Sequence, residues 1–161
     1  MKKRKNEEVN EILFNKKEFK LFIALKNKIS DYVELLNYHY ETNKIPYTVM
    51  VIFATEESMK ETLSNIRKTD IFLNIPHLRN HYLLFFQNTD CKEAIEVGSR
   101  LTSLIERTFM INKKNISHKV AVISFEEKPP SLLNLCHEII LVTKKFKQEN
   151  SNDFWVEIKR F

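Results

Sequence analysis

From Lys16 to Tyr40 the chain sets Phe19, Phe22, Ile23, Ile29, Val33, Leu36 and Tyr40 at helical spacing. That pattern predicts one long amphipathic helix. Asn43 and Pro46 mark its end, because proline disfavours a helical residue before it. Tyr47 to Ala54 is continuously apolar apart from Thr48 and rich in β-branched residues, so it predicts a strand buried on both faces. Thr55 with Ser58 leads a second helix through Ile66, with Met59, Leu63 and Ile66 turned inward. Ile71–Ile75 and Tyr82–Phe86 read as two short strands joined by a loop of several residues. Asp90 and Glu93 stand at capping-box spacing, and Ala94, Ile95, Val97, Leu101, Leu104, Ile105 and Phe109 line one side of the helix that follows. Val120–Phe125 is another buried strand. Pro129-Pro130-Ser131 opens a helix reaching about Lys147, and Phe154, Val156 and Ile158 alternate in a last strand.

The predicted order is a helix followed by β-α-β-β-α-β-α-β. Its core is the ferredoxin-like split unit. The expected fold is therefore α/β: a sandwich of helices on a mainly antiparallel sheet, with a long N-terminal helix and an extra C-terminal helix and strand. Residues 1–14 are polar and basic and read as a loosely held tail. Residues 15–161 read as one domain.

Composition narrows the chemistry. There is one glycine, Gly98, in 161 residues. Average usage near 7% would give about eleven. Loops that cradle phosphates depend on glycine, so none can be built here in the usual way. The formal charge of +5 is spread along the chain, and only residues 2–5 form a basic cluster. This argues against a nucleic-acid partner. The longest uncharged apolar run, Tyr47 to Thr55, is too short to span a bilayer. Met-Lys-Lys-Arg-Lys followed by Asn-Glu-Glu is not a signal-peptide pattern. Cys91 and Cys136 show neither metal nor disulfide spacing and read as reduced thiols, so the expected location is cytoplasmic.

Four strings carry a family likeness. They are Ile12-Leu13-Phe14-Asn15-Lys16-Lys17-Glu18-Phe19, Pro46 to Ile52, Asn88-Thr89-Asp90 with Glu93-Ala94, and Leu132-Leu133 through Lys144. In order and spacing the chain resembles the GGDEF family, whose members condense two GTP into cyclic di-GMP. The resemblance covers roughly residues 10–160 and implies a cyclase-like sandwich. It sets Lys144 at the place of a phosphate-contacting lysine.

Other positions depart from that family. Its signature falls at the hairpin tip, where this chain has Pro76-His77-Leu78-Arg79-Asn80. Neither a glycine pair nor an acidic pair is there. The family's first strand ends in a metal-binding aspartate; here the place holds Phe53, then Ala54 and Thr55. Phosphoryl transfer needs Mg²⁺ on carboxylates, which an apolar side chain cannot supply. One motif survives. Arg67-Lys68-Thr69-Asp70 matches the family's "RxxD", which binds cyclic di-GMP. An arginine fork can hold a phosphate or a guanine edge, and a carboxylate can accept guanine N–H groups. The same residues also suit ordinary roles. Arg67 and Lys68 end a helix, where cations complement the dipole, and Asp70 can cap a turn.

The resemblance thus implies a non-catalytic signalling domain. It would act by contact with another signalling protein or a second copy, or as a cyclic di-GMP receptor through Arg67 and Asp70. The alternative is an active or residual diguanylate cyclase. That alone would require magnesium; otherwise no cofactor and no metal site is implied.

Other chemistry is weaker. His77 and His81 are four apart, but on a hairpin tip they share no helix face. Cys136 and His137 are neighbours on a helix and point in different directions. Ser117, His118 and Ser124 have no triad partners that sequence can place. The strand Tyr82-Leu83-Leu84-Phe85-Phe86 raises an RNA-recognition reading, but it lacks the basic and glycine residues of that consensus. Tyr32, Tyr38, His39 and Tyr40 put aromatic surface beside the helix's core stripe. They either anchor a partner or pack on the domain itself.

Overall fold

The computed structural model describes residues 12–112, 118–148 and 153–159. Residues 1–11, most of the expected N-terminal tail, lie outside these, as does Ser117. The elements are α1 (Lys16–Asn43), β1 (Tyr47–Phe53), α2 (Glu56–Ser64), β2 (Ile71–Asn74) and β3 (His81–Gln87). They continue with α3 (Cys91–Asn112), β4 (Lys119–Phe125), α4 (Leu132–Gln148) and β5 (Asp153–Lys159). The chain is a mixed α/β protein. No helix among the described residues is long and apolar enough to cross a membrane.

The strands form one sheet in the order β2-β3-β1-β4-β5. β1 lies at its centre, antiparallel to both β3 and β4. β2 pairs antiparallel with β3, and β5 joins β4 in parallel. Strand alternation sends successive side chains to opposite faces. Tyr47, Val49 and Val51 of β1 meet Leu83 and Phe85 of β3 on one face, under α1 and α4. Met50 and Ile52 meet Leu84 and Phe86 on the other, under α2 and α3. Among the described residues both sheet faces are covered, and α1 and α4 lie on the face that an RNA-recognition module keeps open.

Local chemistry sets the helix ends. Asn15 caps α1: its Oδ1 accepts from the Glu18 N–H at 2.9 Å, and Glu18 Oε1 accepts from the Asn15 N–H at 3.2 Å. Thr55 caps α2 and Ser131 caps α4, each accepting from an N–H three residues on. Asp90 Oδ1 does the same for Glu93 at the start of α3.

Four positions expected to face inward are exposed. The buried stripe of α1 is Leu21, Leu25, Ile29, Val33 and Leu36. Phe19 and Ile23 are 57% and 59% exposed instead. Residues 19–25 are apolar on nearly every side, so spacing alone allows several stripes; the packed one continues through Ile29 to Leu36. α2 is shorter than predicted: it ends at Ser64, Leu63 faces solvent, and Ile66 packs from the following turn. Ile95 is also exposed on α3. The Phe109 and Ile158 side chains lie outside the described ones.

Gly98 sits in α3 where the helix meets the sheet. A Cβ there would lie 2.6 Å from Phe154 Cε2 and 3.2 Å from Val122 Cγ2. The single glycine is therefore a packing device and not a turn. Turns take left-handed φ at Lys44, His77, Asn80 and Asn88, none of them glycine. Gly98→Ala is expected to destabilise the fold by about 1–3 kcal/mol, although alanine is the better helix former. Adding Phe154→Leu should recover part of the loss, as read by urea denaturation of both variants.

Candidate functional site

Arg67 and Asp70 lie in the turn between α2 and β2. The turn closes on itself: the Asp70 N–H donates to the Arg67 carbonyl at 3.0 Å, and the Arg67 N–H donates to Asp70 Oδ2 at 3.0 Å. The guanidinium completes it. Arg67 Nε donates to Asp70 Oδ1 at 3.2 Å, and Nη2 to the same oxygen at 2.9 Å. Nη2 also reaches the Gln87 carbonyl at 3.0 Å and Thr89 Oγ1 at 2.9 Å, at the far end of β3. The Asp70 side chain is 2% exposed and that of Arg67 50%. Nη1 has no partner among the described residues.

The end of β3 is itself held firmly. Thr48 Oγ1 donates to the Thr89 carbonyl at 2.9 Å, and Gln87 Nε2 to the Thr69 carbonyl at 2.7 Å. Arg67 is thus aimed by two strands as well as by its own turn.

Beside the pair lies a groove of about 500 Å³ running along α3. Arg67, Asp70, Glu93, Glu96 and Arg100 supply its charges. Ile66, Phe86, Val97, Leu101 and Leu104 supply its apolar lining. Glu96 and Arg100 were not singled out from the sequence. The signal was there: 93, 96, 97, 100, 101 and 104 share one stripe of a helix. What sequence could not show is that this stripe faces the Arg67 turn.

The signature-like residues Pro76–Asn80 form the β2–β3 turn, with φ of 62° at His77 and 61° at Asn80. The Asn80 carbonyl accepts from the Ala54 N–H at 3.0 Å, so the tip is tied to the end of β1. A second cleft, about 1060 Å³, opens between this tip and the start of α2, where Thr55, Glu56, Lys60, Arg79 and Tyr82 meet. Phe53 ends β1 and packs against the His81 ring at a 43° tilt, with centroids 4.9 Å apart. His81 is buried, and its Nδ1–H donates to the Arg79 carbonyl at 2.8 Å. Its Nε2 has no partner among the described residues. No three His, Cys, Asp or Glu side chains gather into a metal-capable group among the described residues.

Lys144 sits elsewhere. Its ammonium lies 3.1 Å from Glu18 Oε2 and donates to the Leu13 carbonyl at 3.3 Å, with the Phe14 ring beneath. It fastens α4 to the start of α1, across the sheet from the Arg67 groove. Cys136 is fully buried, and burial pushes its thiol up to about 12, so it is an inert packing residue.

No family model, curated protein or solved structure matches the chain.

Burial pushes the His81 imidazole below its ordinary 6.5, with the Lys147 charge adding to the shift. Burial does the same to His118, against the opposing pull of Glu106. A histidine depressed in the folded state binds its proton more readily when unfolded. Stability is therefore full above pH 6.5 and falls as pH drops from there toward the folded values. Urea midpoints measured from pH 7.5 to 5 should decline, and His81→Phe should flatten that decline while keeping the ring packing.

Proposed function

We propose that this chain is a non-catalytic, cyclase-like signalling domain that binds cyclic di-GMP in the Arg67 groove. The carrying observation is the groove's composition. Two arginines suit the phosphates of such a ligand, the exposed Glu93 and Glu96 carboxylates suit guanine N–H groups while Asp70, buried, holds Arg67, and the apolar lining between them suits the base faces. Arg67 is pre-aimed, and its side chain is half exposed. A site held ready spends less of its binding energy on ordering.

The fold reading behind this is ferredoxin-like. The hairpin β2–β3 with β1 between β3 and β4 supports the split β-α-β-β-α-β unit, and α1, α4 and β5 are additions to it. The non-catalytic reading rests on Phe53. The end of β1 carries a ring packed on neutral His81 and no carboxylate for a divalent cation.

Calorimetric titration of cyclic di-GMP into tens of micromolar protein should release heat. Arg100→Ala should weaken binding about tenfold or more, the cost of a lost charge-assisted contact. Arg67→Ala should do the same, with some loss of stability because that side chain also braces Gln87 and Thr89. Absence of heat at that concentration sinks the receptor reading. Separately, incubation with GTP and Mg²⁺ should yield no cyclic di-GMP; steady turnover would rule against the non-catalytic reading while leaving the receptor question intact.

A further inference from the structure

We infer that the outer face of α1 is a homodimer interface, on which α1 of a second copy packs antiparallel. This goes beyond the ligand reading and does not rest on it.

α1 is 28 residues long, about 42 Å at 1.5 Å per residue. One face is buried on the sheet and on α4. The opposite face is apolar at both ends: Phe19 and Ile23 near the start are 57% and 59% exposed, and Tyr38 near the end is 59% exposed. A lone exposed apolar residue needs no explanation, but three large ones on a single helix face invite a cover.

The charges say which cover. The exposed charges of the first half are all lysines, at 16, 17, 20, 26 and 28, and those of the second half are all acidic: Asp31, Glu34 and Glu41. Lys28 donates to the Asn74 carbonyl at 2.7 Å, so it belongs to the domain's own packing. Of the other seven, none makes an ion pair among the described residues. This order runs against the helix's own dipole, which favours anions at the start and cations at the end. The last turn holds no basic residue, and Glu18 is the one acid of the first turn. Glu18 is already engaged by Lys144. Self-stabilisation of the helix therefore does not account for the pattern.

A second α1 laid antiparallel does account for it. The lysine-bearing half of each helix then faces the carboxylate-bearing half of the other, and the two dipoles oppose. A parallel pair would set lysines against lysines. Phe19 lies three residues from one end of α1 and Tyr38 five from the other. A two-fold axis near the middle therefore brings each Tyr38 over the Phe19 and Ile23 of its partner. The contact is isologous and closes at two copies.

The test uses the full chain. Light scattering across about 1–100 µM should show a shift from 19.3 kDa to twice that mass. Lys16→Glu with Lys20→Glu should weaken the dimer about tenfold or more, and Glu34→Lys with Glu41→Lys equally so. Mixing these two variants should restore a dimer, because their faces are complementary. In a Cys91→Ser background, Lys16→Cys mixed with Glu41→Cys should give the mixed disulfide. A monomer at the top concentration would leave α1 to some other protein and overturn the inference. So would a dimer indifferent to both reversals, or a Lys16→Cys variant that cross-links to itself.

Discussion

β1 carries no polar face, and this constraint organises the molecule. From Tyr47 to Ile52 every residue is buried, including Thr48, whose hydroxyl is satisfied by the Thr89 carbonyl. A strand apolar on both sides must be flanked by strands and covered above and below. Antiparallel pairing with β3 and β4 settles its backbone groups. α2 and α3 cover one face: α2 joins β1 to β2 across β3, and α3 joins β3 to β4 across β1. The other face needs elements from outside that unit, and α1 and α4 supply them. The long N-terminal helix is therefore half of a layer without which Val49, Val51, Leu83 and Phe85 would face water.

Apolar area alone would let α1 and α4 slide over the sheet. Polar ties set their position. The Tyr47 hydroxyl donates to Asn37 Oδ1 at 2.6 Å, and Asn37 Nδ2 donates to the Pro130 carbonyl at 2.9 Å. This relay joins the middle strand, the late part of α1 and the approach to α4. At the opposite end Glu18 and Lys144 hold the same two helices together. The candidate groove lies on the other side of the sheet, so its geometry is supported by a core to which α1 and α4 contribute only through the strands.

Much of the architecture was legible in the sequence, because period and punctuation are local. The unbroken run at Tyr47, the Thr55 and Ser131 caps and the alternation of Phe154, Val156 and Ile158 each need only their neighbours. Where several local solutions exist, reading stops. Phe19 and Ile23 fit a helical stripe as well as Leu21 and Leu25 do, and only the sheet decides between them. The pairing of Phe53 with His81 depends on strand register, which no single segment encodes. Arg67 and Asp70 were visible as a motif. Their attachment to Gln87 and Thr89, twenty residues away, was not. The same holds for Arg100, whose partnership with the turn is purely spatial.

Lys119 carries one more implication. It is 2% exposed, and its Nζ donates to the Phe146 carbonyl near the end of α4 at 2.7 Å. A cation there complements the carbonyl end of that helix. It also puts a primary amine where no acylating reagent can touch it while α4 stays seated. Among the many lysines on the surface, this one is a built-in clock: the rate at which it takes up label counts how often that helix lifts away.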